Sequence, residues 1–174
     1  MPGLAAEDPS MAAAAGQTAS GAPEMISTND GLPVAVQRLM LVTDLSPVSE
    51  RAAAEAIRLA AESGAHLLVF SVIDPRRLRL PGGRFLRRVD QERNRIETGA
   101  QILVARARAA GVRATFLVWE GNPPEAILAA SAAERIDAIV LGAHSRGLLG
   151  RLVLGSTSGR VSERARCEVM VVAG

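Results

Sequence analysis

Residues 139–172 read IVLGAHSRGLLGRLVLGSTSGRVSERARCEVMVV and gather more groups able to do chemistry than any other part of this chain. An apolar run ends at Gly142. A basic, glycine-rich loop with Ser145, Arg146 and Arg151 follows, and Gly155-Ser156-Thr157 then opens a stretch of helical character. Backbone N–H groups after a strand, guanidinium groups and hydroxyls at a helix start together suit an anion, a phosphate above all. The competing reading is a plain strand connection. In that case Gly142 only eases the exit from the strand, Ser156 only caps the helix, and Arg146 and Arg151 are solvated.

Other chemistries fall away on the residues. The chain has no lysine, so all twenty basic residues are arginine. That excludes a Walker A loop, which sets a Lys on the phosphates, and a Schiff-base enzyme, which needs a Lys amine. Ser145 sits in Ala143-His144-Ser145-Arg146-Gly147, close to the hydrolase nucleophile elbow with Ala for the first Gly. That triad needs a later His, and none occurs among the 29 residues after Ser145. His66 and His144 stand 78 residues apart with neither paired-Cys nor HExxH spacing, so no metal site is expected. No G-x-G-x-x-G follows a strand, so the dinucleotide fingerprint is missing.

The elements that must position these residues alternate along the chain. Residues 37–43 (QRLMLVT) predict a strand closed by Asp44, and Ser46-Pro47 open a helix with an N-cap residue and a Pro at the first helical position. Asp44 is an alternative cap for the same helix. Ala53, Ala56, Ile57 and Ala60 form its apolar stripe, and Gly64 ends it. The unbroken apolar run 65–73 reads as a strand buried on both faces. After a loop at 76–84, a helix is predicted over 85–110, with Ile96, Ala100, Leu103, Val104 and Ala107 in register and Gly99 a weak point inside it. A strand at 112–119, a turn at 120–123, a helix at 124–134, a strand at 137–141, a helix at 156–166 and a strand at 168–172 complete the pattern.

Five strands alternating with four helices predict an α/β fold. The expected form is an open, doubly wound, parallel five-stranded sheet with helices on both faces, a Rossmann-like or flavodoxin-like three-layer sandwich. Ligands of such sheets bind beyond the carboxyl ends of the strands, which places Asp44, Val72, Asp74, Gly121 and Gly142 on one rim.

Composition bounds the rest. Residues 1–33 are rich in Ala, Gly, Ser and Pro and are expected to be a disordered tail, with Met11 and Met25 as alternative starts. Residues 34–174 are expected to form a single domain. Aromatics are 2%, so the core must come from Ala, Leu, Val and Ile. No apolar run nears the roughly 20 residues of a membrane span. There is no Lys or Arg before Arg38 and only one cysteine, Cys167, so a cytoplasmic protein without membrane contact is expected. Residues 76–113 hold eleven Arg against three acids, either a surface for phosphates or an acidic partner, or a solvated helix face. The terminal run Val169-Met170-Val171-Val172 reads as an apolar edge strand, which invites pairing with another chain.

Gly142, two residues, Ser145, nine residues, then Gly155-Ser156 resembles the nucleotide-binding signature of the universal stress protein family. The family pattern is Gly, two residues, Gly, nine residues, Gly, then Ser or Thr. Thr43-Asp44-Leu45-Ser46 resembles the family's start, Phe70-Ser71-Val72 the end of its second strand, and Glu120-Gly121-Asn122-Pro123 its turn before the third helix. The resemblance covers about 37–173. It departs at Ser145, which stands in the second Gly position. At φ > 0 a Ser there costs roughly 1–2 kcal/mol, and at φ < 0 it is harmless.

The resemblance implies a regulatory domain of the stress response that binds ATP or another adenine nucleotide. It implies that Mg²⁺ accompanies the ATP and that hydrolysis is weak or absent, in keeping with the lack of an evident general base. Asp44 would accept from the adenine N6 amine and Val72 would line the base. Gly142 would admit the ribose and phosphates. Thr43 belongs to the same segment, and Ser145, Arg146, Gly155, Ser156 and Thr157 would hold the phosphate chain. A homodimer through the C-terminal strand is implied, with an unidentified protein partner and no specific nucleic acid. The alternative is a dimeric interaction module of the same fold that binds no nucleotide.

Overall fold

The computed structural model describes residues 25–27, 36–78, 85–143 and 155–173. The parallel layer consists of β2 (Arg38–Val42), β3 (His66–Ile73), β4 (Ala114–Glu120), β5 (Ala138–Ala143) and β6 (Glu168–Ala173). Between them lie α1 (Glu50–Ser63), α2 (Phe85–Ala109), α3 (Pro123–Ala133) and α4 (Ser156–Arg164). The expected fold is therefore present, with one addition: β1 (Met25–Ser27) pairs antiparallel with β6 and makes the sheet six-stranded in the order β1-β6-β5-β2-β3-β4. This corrects the expected disordered tail at residues 25–27; the remainder of 1–33 lies outside the described residues. β1 also lies along Met170–Val172 of the β6 edge that the sequence left open.

Alternation along the buried strands sorts their side chains to the two faces of the sheet. Leu39, Leu41, Leu67, Val69 and Val140 pack on one face against Ala53, Ala56 and Ala60 of α1 and Leu103, Val104 and Ala107 of α2. Met40, Leu68, Phe70, Ile139 and Val171 pack on the other against Ala126, Ile127 and Ala130 of α3 and Val161 of α4. The small alanines bring helix backbones close to the sheet, which is how a core so poor in aromatics closes. The strand order reverses between β2 and β5, and a crevice opens at such a reversal. The Asp137 carboxylate fixes the other end of this junction, accepting from the N–H groups of Gln37 and Arg38 at 2.9 and 2.8 Å.

The Arg-rich 76–113 block is less of a cationic surface than its count suggests. Arg76, Arg93, Arg95 and Arg106 pair with Asp74, Glu120, Glu92 and Glu50. These pairs give stability an acid limit. Hydrogen bonds from Arg58, Arg76 and Arg95 hold Glu55, Asp74 and Glu92 below the usual carboxylate range. Each carboxylate stays charged to lower pH when folded than when unfolded. Its contribution is full above the unfolded pKa and is lost as pH falls through the lowered folded value. Burial, with Arg38 and Arg113 nearby, also lowers His66, so the unfolded chain takes up that proton first. The melting temperature is expected to decline gently from about pH 6.5 and steeply below about pH 4.5. Glu55→Gln should flatten the lower limb. A melting temperature constant from pH 7 to 3 would contradict this account.

Candidate functional site

A cleft of about 310 Å³ opens beyond the carboxyl ends of β2, β3 and β5, roofed by the starts of α3 and α4. Thr43, Asp44, Val72, Gly142, Gly155, Ser156 and Thr157 all line it. Residues as far apart in sequence as 43 and 157 thus line one cleft. Ser145, Arg146 and Arg151 lie outside the described residues. Asp74 and Gly121, expected on the rim, do not line the cleft. Asp74 instead takes Arg76 and Arg77, and Gly121, at φ +152°, gives its N–H to the Ile73 carbonyl at 2.9 Å. Val48, Ser49, Arg77, Ile127 and Ser158 are lining residues that the sequence did not single out, and Pro123 joins them from the turn before α3. For Arg77 a signal existed, since it follows the β3 strand end directly in the Arg-rich loop.

The turn after β2 is held by its own hydroxyls. Ser49 Oγ donates to the Ser46 carbonyl at 2.8 Å, which uses its single proton. Thr43 Oγ1, 2.9 Å from Ser49 Oγ, must therefore be the donor to Ser49, while it accepts from the Leu45 N–H at 2.9 Å. The Thr43 hydroxyl thereby braces the turn through its proton and one of its lone pairs, while the residue lines the cleft. Asp44 Oδ1 accepts from the Ser46 N–H at 3.0 Å, an Asx turn in place of the predicted helix cap. Ser46 makes no side-chain cap, and a 3₁₀ turn (Pro47–Ser49) intervenes before α1. Arg95 reaches across from α2 to the Asp44 carbonyl at 3.3 Å.

Leu45 adopts φ +59°, a left-handed conformation that leucine rarely takes. Its side chain lies over Gly99 of α2, where an added Cβ would come within 2.9 Å of Leu45 Cδ1. The weak point in the helix is therefore a seat for the turn that carries Asp44. Gly99→Ala is expected to forfeit the roughly 1 kcal/mol that helix propensity offers, and Gly99→Val to cost about 1–3 kcal/mol by overpacking. Thermal denaturation of the two variants checks this, and a stabilised Gly99→Val would refute the seat.

Opposite this turn, α4 begins at Gly155, with φ −61° and ψ 161°. Its first intrahelical bond runs from the Gly159 N–H to the Gly155 carbonyl at 2.9 Å. The N–H groups of Ser156, Thr157 and Ser158 precede it and have no acceptor within the helix. The N-terminal end of the helix dipole thus faces the cleft. Ser158 Oγ turns back to the Gly155 carbonyl at 3.1 Å, leaving the Ser156 and Thr157 hydroxyls as the side-chain donors at this wall.

Neither glycine is required by the protein's own packing. A Cβ on Gly155 would meet only Ser158 Oγ at 3.7 Å, and one on Gly142 would meet Ser49 and Ala52 at 3.6 Å or more. Neither residue has a positive φ. The absent side chains leave backbone exposed to whatever occupies the cleft.

Comparison with known proteins gives the family. Residues 35–173 match the model of the Universal stress protein family. A Thermus aquaticus protein, "Universal stress protein in QAH/OAS sulfhydrylase 3'region", is 36% identical over 138 residues, covering 77% of this chain and 96% of that protein. Among solved structures, universal stress protein UspA from Lactobacillus plantarum superposes with a TM-score of 0.71 at 22% identity, covering 80% of this chain and 99% of that one. A universal stress protein in complex with cAMP superposes with a TM-score of 0.59 at 25% identity, covering 80% of this chain and 98% of that one.

Proposed function

The chain belongs to the universal stress protein family, and from that premise we propose that it binds an adenine nucleotide, ATP foremost, as a regulatory domain of a stress response. One observation carries the reading: the Asp44 turn, Val72, Gly142 and the start of α4 enclose a single cleft of ligand size. Asp44 accepts from the adenine N6 amine, and Val72 packs against the base. The backbone at Gly142 and Gly155 admits ribose and phosphate. The N–H groups and hydroxyls of Ser156 and Thr157 hold phosphate oxygens at the positive end of the helix, and Ser145 and Arg146 belong to the same phosphate-binding stretch. Mg²⁺ would arrive with the nucleotide and neutralise phosphate charge.

The solved relative in complex with cAMP supports an adenine nucleotide over other ligands. Slow or absent hydrolysis belongs to the same proposal, since Asp44, the carboxylate among the described lining residues, is assigned to the adenine amine rather than to a water. The reading as an interaction module without nucleotide rested in part on a large basic surface, and the ion pairs of Arg76, Arg93, Arg95 and Arg106 reduce that surface.

Calorimetric titration of dialysed protein tests the reading. Saturable ATP binding is expected, with phosphate release no faster than background. Absence of binding at millimolar ATP would overturn it. Mass spectrometry of co-purifying nucleotide distinguishes ATP from AMP and cyclic nucleotides.

A further inference from the structure

We infer that Arg77 is a base-stacking residue of the cleft, its guanidinium plane lying over the adenine on the flank away from the phosphate seat. The inference rests on the nucleotide reading and adds to it a residue outside the glycine signature.

Two adjacent arginines of one turn are held in different ways. The 3₁₀ turn Pro75–Leu78 follows β3 directly. Asp74, with a side chain only 8% exposed, anchors it. Arg76 grips the Asp74 carboxylate with two side-chain hydrogen bonds, Nε to Oδ1 at 2.9 Å and Nη2 to Oδ2 at 3.0 Å, and its backbone N–H adds a third at 3.1 Å. Arg77 gives its backbone N–H to the Asp74 carbonyl at 3.1 Å, but its Nε stands 3.7 Å from Oδ2, beyond hydrogen-bond distance. Charge alone therefore tethers the Arg77 side chain, which is 75% exposed and lines the cleft. Its N–H donors are not committed to any described residue, so the guanidinium can turn toward a ligand without breaking a hydrogen bond.

The cleft offers a base little else that is planar. No aromatic ring is among its described lining residues, and its apolar side chains are Val42, Val48, Val72, Pro123, Ile127 and Leu141. Nucleobases stack on aromatic rings or on arginine guanidinium planes, and Arg77 is the arginine among the described lining residues. Position selects the base over the phosphates. Across the sheet the order β5-β2-β3 carries Gly142, then Asp44, then Val72 with the Arg77 turn after it. The start of α4 belongs to the connection that leaves β5, so the Arg77 turn stands on the opposite flank, two strand spacings or about 10 Å away. Val72, assigned to the base, lies on the strand that feeds this turn.

Calorimetric titration of ATP, ADP and AMP into wild type, Arg77→Ala and Arg77→Lys tests the inference, in about 0.15 M salt so that a distant charge is largely screened. Arg77→Lys keeps the charge and removes the plane. Both variants are expected to bind each nucleotide roughly five- to hundredfold more weakly, by a factor that changes less than about twofold from AMP to ATP. Their melting temperatures should match wild type, because the side chain is exposed and its ion pair is loose. Wild-type affinity in Arg77→Lys, or a loss that grows with each added phosphate, would overturn the stacking role. Wild type that binds none of the three removes the nucleotide reading itself, whereas wild-type binding matched by both variants removes Arg77 alone.

Discussion

Gly155→Val is expected to lower the proposed ATP affinity at least tenfold and to leave the fold almost untouched. The backbone at this residue, φ −61° and ψ 161°, suits any L-amino acid. The nearest atom to an added Cβ is Ser158 Oγ at 3.7 Å, a normal contact. The expected structural cost is only the weaker N-cap propensity of valine, on the order of 0.5–1 kcal/mol. The binding loss has a different origin. Phosphate oxygens must come within hydrogen-bond distance of the N–H groups of Ser156 and Thr157, and a branched side chain at the mouth of the helix keeps them away. Gly155→Ser separates the two effects, since serine is a better cap than valine but still adds bulk. Calorimetry for ATP beside a thermal melt provides the readout. Equal ATP affinity in wild type and Gly155→Val would remove the α4 start from the site. A large loss of stability would show that the glycine serves the fold.

The second large effect is on stability. Phe70 is fully buried on β3, and its ring meets Trp119 of the neighbouring β4 edge-on with centroids 5.7 Å apart and planes at 74°. Its carbonyl also accepts from the Thr43 N–H at 3.0 Å, which registers the end of β2 against β3. Phe70→Ala is expected to cost about 3–5 kcal/mol, the sum of lost transfer energy and the cavity left behind. For a chain of this size that lowers the melting temperature by roughly 6–20 °C. The core has few aromatic side chains to collapse into the space, which places the effect toward the upper end. Trp119, the only tryptophan, reports the transition by fluorescence in a urea titration. A cost below about 1 kcal/mol would show that the β3–α3 layer repacks freely, contrary to the interlocked packing described here.

Much of this molecule was legible in its residues because the signals are local. Apolar runs at 65–73 and 137–141 are long enough to be buried strands, and the stripe through Ile96, Ala100, Leu103, Val104 and Ala107 has a helical period. All five of those helical residues are buried in α2. Gly142, Gly155 and Ser156 were assigned to one site because their spacing resembles the family's nucleotide-binding signature. Asp44 and Val72 joined them because every strand of such a sheet ends on the same side.

Tertiary structure decided what depends on contacts between distant segments. Thr43 read as a site residue from its neighbours, and only the fold shows that its hydroxyl also braces the turn through Ser49 and Leu45. Gly99 looked like a defect, and its reason is Leu45, more than fifty residues away in sequence. Arg77 enters the cleft because Asp74, just after β3, draws in the turn that carries it. The apolar end of the chain read as an open edge, and whether an edge is open depends on what else in the chain can reach it. Met25–Ser27 form a strand only against β6, because three residues have no structure of their own without a ladder to join.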